Sequence, residues 1–217
     1  MKNLTNEVQQ YNTFEALKYY QKAFDMADTY EVRTKLADCY YRRGNNLQTA
    51  NLLKLVPEDS LSHDAFRQIC YSYQNQGDVS SFVWWTSALV ARFPMDGEMV
   101  AGLTLALARE NQAWKGIVYG EKYFNQDSTN ILVNRALADA YVEAWKRHLS
   151  YNPSSIATYY NIANTYALLL KDNEQAKDYY QQFLGLARKE ENPNAQLSEM
   201  MQKADAMLKY YEEMKAE

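Results

Sequence analysis

Few side chains in this sequence stand at spacings that could do chemistry. The two histidines, His63 and His148, have no second histidine or carboxylate at metal-ligand spacing. A solvated or half-buried imidazole is therefore expected at both, rather than a metal ligand or general base. The two cysteines, Cys39 and Cys70, are too few for a disulfide framework and lack the close Cys or His neighbours of a zinc site. Cys70 falls where the pattern described below wants a small residue, and Cys39 lies on the corresponding helix of the preceding repeat. Neighbouring helix axes are about 10 Å apart, whereas a disulfide needs Cα atoms within about 7 Å, so both are expected as buried thiols behaving as small hydrophobes. There is no glycine-rich phosphate loop and no serine elbow. The carboxylate pairs Glu190–Glu191 and Glu212–Glu213 sit in polar helix-end sequence and read as solvated charges. No catalytic residue, cofactor or metal is expected, because no nucleophile has an adjacent base.

The residues that remain to be positioned are structural. Of 217 residues, 47% are hydrophobic, enough for a sizeable core, while 7 Gly and 4 Pro provide few of the breaks that an all-β fold needs. Ala, Leu, Gln, Glu and Lys abound, which favours helices. Lys and Arg total 23 against 27 Asp and Glu, a net charge of -4 that gives no general attraction to nucleic acid or an anionic membrane. The longest apolar run, Ala167 to Leu170, is far below the roughly 20 residues of a membrane span. The start, MKNLTNEVQQ, has no apolar stretch of a secretory signal. A cytoplasmic location is expected from the visible chain, and a periplasmic or exported one if an upstream signal has been removed.

One short pattern recurs. An apolar residue is followed at once by a small one and, three residues later, by Tyr or Leu: Leu36-Ala37-Tyr40, Ile69-Cys70-Tyr73, Leu103-Thr104-Leu107, Leu137-Ala138-Tyr141 and Ile162-Ala163-Tyr166. These positions share one helical face. The leading residues are separated by 33, 34, 34 and 25 positions. Second helices lie between them, best seen in Ala16, Tyr20, Ala23 and in Ala176, Tyr180, Phe183. Gly44-Asn45 and Gly77-Asp78 mark turns, and Asp28 with Glu31 and Asp172 with Gln175 read as capping pairs. The repeating element is a helical hairpin that must stack on its neighbours to bury its apolar face.

This pattern resembles the tetratricopeptide repeat (TPR) family, whose period is 34. The fullest matches are Tyr159, Ile162, Ala163, Tyr166, Ala176, Tyr180 and, earlier, Phe66, Ile69, Cys70, Tyr73, Gly77, Pro94. The resemblance spans residues 11 to 190 or so. It implies an all-α, right-handed α-solenoid of about five to six TPR-like hairpins, one of them shortened, over residues 1–190, with 191–217 forming a C-terminal capping helix. That last segment places Leu197, Met201, Ala204, Leu208 and Tyr211 on one stripe. A dimer seam is the alternative use of the stripe, but it spans fewer than three heptads. Two irregularities stand out. Between Ala138 and Pro153 about nine residues of a repeat are missing, so either the repeat is short or a loop is absent from the sequence, the second being the preferred expectation, with Trp145 as second-helix aromatic. Residues 1 to 10 supply only part of a first helix before a second helix at Phe14 to Ala27.

The resemblance also implies where a partner would sit. In this family ligands lie along the concave groove, on first-helix residues two before, two after and five after the leading apolar position. Around Leu36 these are Thr34, Asp38 and Tyr41; around Ile69 they are Arg67, Tyr71 and Gln74. Further along come Ala101, Leu105 and Ala108, then Arg135, Asp139 and Val142, and finally Tyr160, Asn164 and Ala167. Of these, Arg67, Tyr71, Gln74, Arg135, Asp139, Tyr160 and Asn164 are the expected partner contacts. This mixture of charge, aromatic and small apolar side chains suits a peptide or helix better than a polyanion. The Lys, Asn and Arg set with which some TPR proteins capture the carboxylate of chaperone tails is not reproduced, since Tyr71 and Gly102 stand where Asn is wanted. The expected function is a non-enzymatic protein-interaction scaffold, with a monomer as the expected state. The alternative is a carbohydrate- or substrate-binding module of a bacterial cell-envelope system. Its contacts would come from exposed aromatics such as Trp84 or Trp85, since adjacent helical residues cannot face the same way.

Overall fold

The computed structural model describes the backbone of residues 2–216 and the side chains of residues 13–214. Those residues form α-helices and no strand. In chain order the helices are α1 (Lys2–Met26), α2 (Tyr30–Arg42), α3 (Asn46–Leu53), α4 (His63–Gln76), α5 (Val79–Arg92) and α6 (Gly97–Arg109). They continue with α7 (Ala113–Phe124), α8 (Ile131–Tyr151), α9 (Ile156–Thr165), α10 (Asn173–Ala187) and α11 (Ala195–Ala216). The chain gathers into two compact halves, Met1–Leu103 and Thr104–Glu217, so the division falls within α6.

Local sequence sets the helix ends. The side chains of Asn45, Ser62, Asp78, Asn130 and Asp172 each accept a hydrogen bond from the backbone N–H three residues on, which satisfies one of the orphan donors of a first turn. At α2 this role falls to Thr29, which accepts from Val32 N at 3.3 Å, and not to Asp28 as the sequence led us to expect. Asp28 instead forms an ion pair with Arg33. Gly44 and Gly77 turn the chain between α2 and α3 and between α4 and α5 at φ of 72° and 73°, a left-handed backbone that only glycine adopts without strain. Asn111 and Lys171 take the corresponding left-handed place at φ 59°.

The recurrent pattern is the core. Leu36, Ala37, Ile69, Cys70, Leu103, Thr104, Ile162 and Ala163 are all at most 1% exposed. Within the second half, α7 approaches the middle of α6 so closely that a Cβ on Gly116 would lie 2.6 Å from the Thr104 carbonyl oxygen. The Thr104 hydroxyl uses that proximity to donate to Gly116 O at 3.2 Å. At the end of the second half, α10 and α11 enclose Ala176, Tyr180, Phe183, Ala204 and Tyr211, with Leu197, Met201 and Leu208 packed against them. The stripe on α11 is thus used within the chain, and an Arg188–Asp205 ion pair at 2.7 Å ties the two helices at the surface.

Two expectations are corrected. No loop is missing after Ala138: α8 runs unbroken for 21 residues, and the repeat has lost its second helix outright. Trp145 belongs to α8 itself, stacked on Tyr141 at 5.6 Å, because the helix continues past the point where a turn was expected. Four residues then lead into α9, and Lys146 Nζ of α8 lies 5.5 Å from the ring centre of Tyr166, at the far end of α9, so α9 runs back along α8. From Tyr166 to Leu170 α9 widens into a π-helical turn. At the other end of the chain α1 is a single helix through Met26, where a part-helix and a second helix were expected. No Gly or Pro between residues 8 and 16 interrupts it.

A Gly116→Ala substitution is expected to lower stability by about 1–3 kcal/mol through overpacking against backbone. Gly185→Ala, where the new methyl group meets nothing within 4 Å, is expected to be neutral or to gain about 0.5–1 kcal/mol. Urea midpoints of the two variants would settle the ordering, and equal midpoints would contradict the close approach.

Candidate functional site

In the first half, α2 and α4 lie side by side and leave a cavity of 420 Å³ between them. One wall is the face of α2 carrying Thr34, Lys35, Asp38, Tyr41 and Arg42, spaced as a helix requires for residues that share a side. The opposite wall comes from the start and middle of α4, including Asp64, Arg67, Gln68 and Tyr71. Asp38 joins the walls: its Oδ1 accepts from Gln68 Nε2 and its Oδ2 from Arg42 Nε, both at 2.8 Å. The other amide atom, Gln68 Oε1, is buried without a donor. Burial pushes the Tyr41 phenol up, while the Arg67 charge lowers and the Glu98 charge raises it.

Arg67 ties the groove to the start of α6. Its Nη1 donates to both oxygens of Asp96 at 3.1 Å, and its Nη2 donates to the Tyr71 hydroxyl at 2.7 Å and to Glu98. Burial works against the Arg67 charge, but the Glu98 hydrogen bond and the Asp96 and Glu98 carboxylates outweigh it and leave the guanidinium pKa above its ordinary value. Tyr71 is raised by burial first and by its bond to Glu98 second. Conversely the Tyr71 hydroxyl, followed by Arg67, holds Glu98 below the usual carboxylate range. The Asp96 side chain is only 2% exposed. It also accepts from His63 Nε2 at 2.7 Å and from Met99 N at 3.2 Å, so it caps α6 while it binds α4.

The residues expected to touch a partner are therefore unequally placed. Arg67 and Tyr71 line the cavity together with Thr34, Asp38 and Tyr41, whereas Gln74 is exposed on α4 and does not line it. In the second half Arg135 is exposed and Asp139 half-buried on α8. Burial raises the Asp139 carboxyl against the pull of Arg135 and Arg109. Tyr160 packs 5.0 Å from Phe183 and 6.1 Å from Tyr180, and Asn164 accepts the Tyr180 hydroxyl at 2.6 Å, so both serve packing against α10. Ala101, Ala108, Val142 and Ala167 are buried. Asp96, Glu98 and Gln68 did not emerge from the sequence. A signal existed for Asp96: seven positions before the leading apolar residue, the other repeats carry Thr29, Ser62, Asn130 and Ser155, and only this one carries a charge.

Among the described residues no group of three or more His, Cys, Asp and Glu could hold a metal ion, and no helix is long and apolar enough to cross a membrane. Cys39 and Cys70 are free and buried. Burial pushes the Cys70 thiol up to about 11. Trp85 is buried against Phe66, with ring centres 5.9 Å apart, and Trp84 faces outward at 55% exposure.

No protein-family model matches the chain, and no curated protein matches it. Solved structures do. A tetratricopeptide repeat protein from Parabacteroides merdae superposes with a TM-score of 0.55 at 14% identity, covering 99% of this chain and 87% of the other. The C-terminal part of a TPR repeat-containing protein from Cytophaga hutchinsonii gives 0.52 at 18% identity, covering 94% and 84%. The chain thus has the all-helical repeat fold of TPR proteins.

Replacing Asp96 by Ala removes a helix cap and leaves Arg67 short of a partner, and is expected to cost roughly 2–3 kcal/mol in urea unfolding; Asp96→Asn, which keeps the cap, is expected to cost less. Because the Glu98 pKa is depressed on folding, its contribution is present above the ordinary carboxylate range and is lost as pH falls through the folded value. Glu98→Gln is therefore expected to flatten part of the acid limb of a stability–pH curve. The two thiols are expected to react with Ellman's reagent at pH 8 only on unfolding, because both are buried and Cys70 is protonated there. A fast thiol in the native protein would contradict the packing described.

Proposed function

We propose that this chain is a non-enzymatic protein-binding module that holds an extended or helical segment of another protein in the groove between α2 and α4. One observation carries the reading: five positions that the repeat register assigns to partner contact, Thr34, Asp38, Tyr41, Arg67 and Tyr71, line a single cavity. That cavity offers exposed charge, phenol faces and hydroxyls, the composition with which helical grooves meet peptides. The TPR-type fold supports the reading only as architecture, since the same fold hosts many functions. No nucleophile with an adjacent base lines the groove.

Arg67 and Tyr71 also hold α4 to the start of α6, so they are poor sites for a test of binding alone. Thr34→Arg, which fills the groove from α2, and Tyr41→Ala are better chosen. Peptides enriched from a displayed random library on the purified chain are expected to lose about tenfold or more in affinity on each variant, with helicity by circular dichroism unchanged. Trp84→Ala is expected to leave them unaffected. The opposite result would move the contact to the outer face, where the exposure of Trp84 favours a second reading, a carbohydrate surface. Quenching of tryptophan fluorescence by members of a glycan panel would support that reading.

A further inference from the structure

The groove between α2 and α4 is polar, and its unmet hydrogen-bonding capacity has a sign. Its three cations differ in availability. Arg67 directs its terminal nitrogens to Asp96, Tyr71 and Glu98. Arg42 lies at the rim with 66% of its side chain exposed, paired to Asp38 across a single helical turn, and an exposed pair of that kind contributes little. Lys35 is exposed as well. The acceptors lie deeper. The Asp38 side chain is 33% exposed and takes one hydrogen bond on each oxygen, half of what a carboxylate can accept. Gln68 Oε1 is buried and has no donor. The assignment of the Gln68 amide follows from Asp38, an acceptor that can be met only by the NH₂ group. Asp64 stands at the mouth, and Asp96 and Glu98 lie behind Arg67. With these two included, four carboxylates surround the site against three cations.

We infer that the groove takes a basic side chain of its partner segment, an arginine guanidinium or a lysine ammonium, seated on the Asp38 carboxylate, with Gln68 turning its buried, unpaired Oε1 toward the cation as Arg42 leaves. This rests on the reading of the groove as a partner site. The incoming cation displaces Arg42, which swings into solvent at small cost, and supplies the donor that Gln68 Oε1 lacks; a buried acceptor left unpaired is costly, so the gain on binding is large for one contact. A planar guanidinium fits best, because it can donate to Asp38 and Gln68 with two different nitrogens. Tyr41 also lines the wall, where an aromatic ring adds to the attraction for a cation. An acidic side chain would meet Asp38 as a like charge and would leave Gln68 Oε1 unpaired.

The test uses the full chain and a random peptide library displayed on phage, with enriched peptides synthesised and their affinities measured by fluorescence anisotropy. Enriched peptides are expected to share one Arg or Lys. Replacing it by citrulline or norleucine should weaken binding about tenfold or more, the loss of one charge-assisted contact. On the protein side Asp38→Asn and Gln68→Met should give losses of similar size, and each should remove most of the penalty of the citrulline exchange. The citrulline comparison needs no variant protein, so a folding defect cannot mimic the result. Peptides that bind, are lost on Thr34→Arg, and show no basic preference or an acidic one would overturn this inference and leave the groove reading standing. If peptides bind with no effect of Thr34→Arg or Tyr41→Ala, or if none is enriched, both readings fall.

Discussion

Close approach between helix backbones governs this molecule. It is possible only where side chains are small, and the chain supplies that condition at each repeat, with Ala37, Cys70, Thr104, Ala138 and Ala163 beside a large apolar neighbour. Where the approach is tightest, at Gly116 against Thr104, even a methyl group has no room. Everything outward of these contacts is less constrained. That is why the faces of α2 and α4 can carry charge and aromatic groups that differ from repeat to repeat without disturbing the stack.

The hairpins, the turn glycines and most caps were legible because each rests on local chemistry: a period, a left-handed residue, a hydroxyl or carboxylate three residues before an amide. The cap of α2 slipped by one residue because Thr29 and Asp28 are both competent acceptors and the winner is set by where the helix begins. The lost second helix was misread for a different reason. A repeat register assumes a turn, and nothing in VEAWKRHLSY breaks a helix, so α8 continues.

The candidate site was half legible. Repeat register found Thr34, Asp38, Tyr41, Arg67 and Tyr71, because all five follow from one helical phase. It could not find that Arg67 is engaged by Asp96 and Glu98, which are distant in sequence and belong to the next first helix. Nor could it foresee that Tyr160 and Asn164 turn toward α10, where Tyr180 brings a hydroxyl in need of a partner to a site that smaller residues would have left apolar. Groove positions are defined by phase, but whether a side chain is free depends on its neighbours.

The omission of one helix after α8 has a consequence for direction. Successive first helices in the first half, such as α2 and α4, run the same way, as the meeting of Asn46 beyond the end of α2 with Asn75 and Gln76 near the end of α4 shows. With a hairpin reduced to one rod, the count of reversals becomes odd, and α9 points opposite to α8. Their macrodipoles then lie antiparallel, each positive end beside the other's negative end, a favourable alignment, whereas equally directed neighbours repel. Every sequence position on α9 consequently presents its side chain with the amino and carboxyl ends exchanged relative to its counterpart on α8, so a ligand-reading code written for one cannot be transposed onto the other.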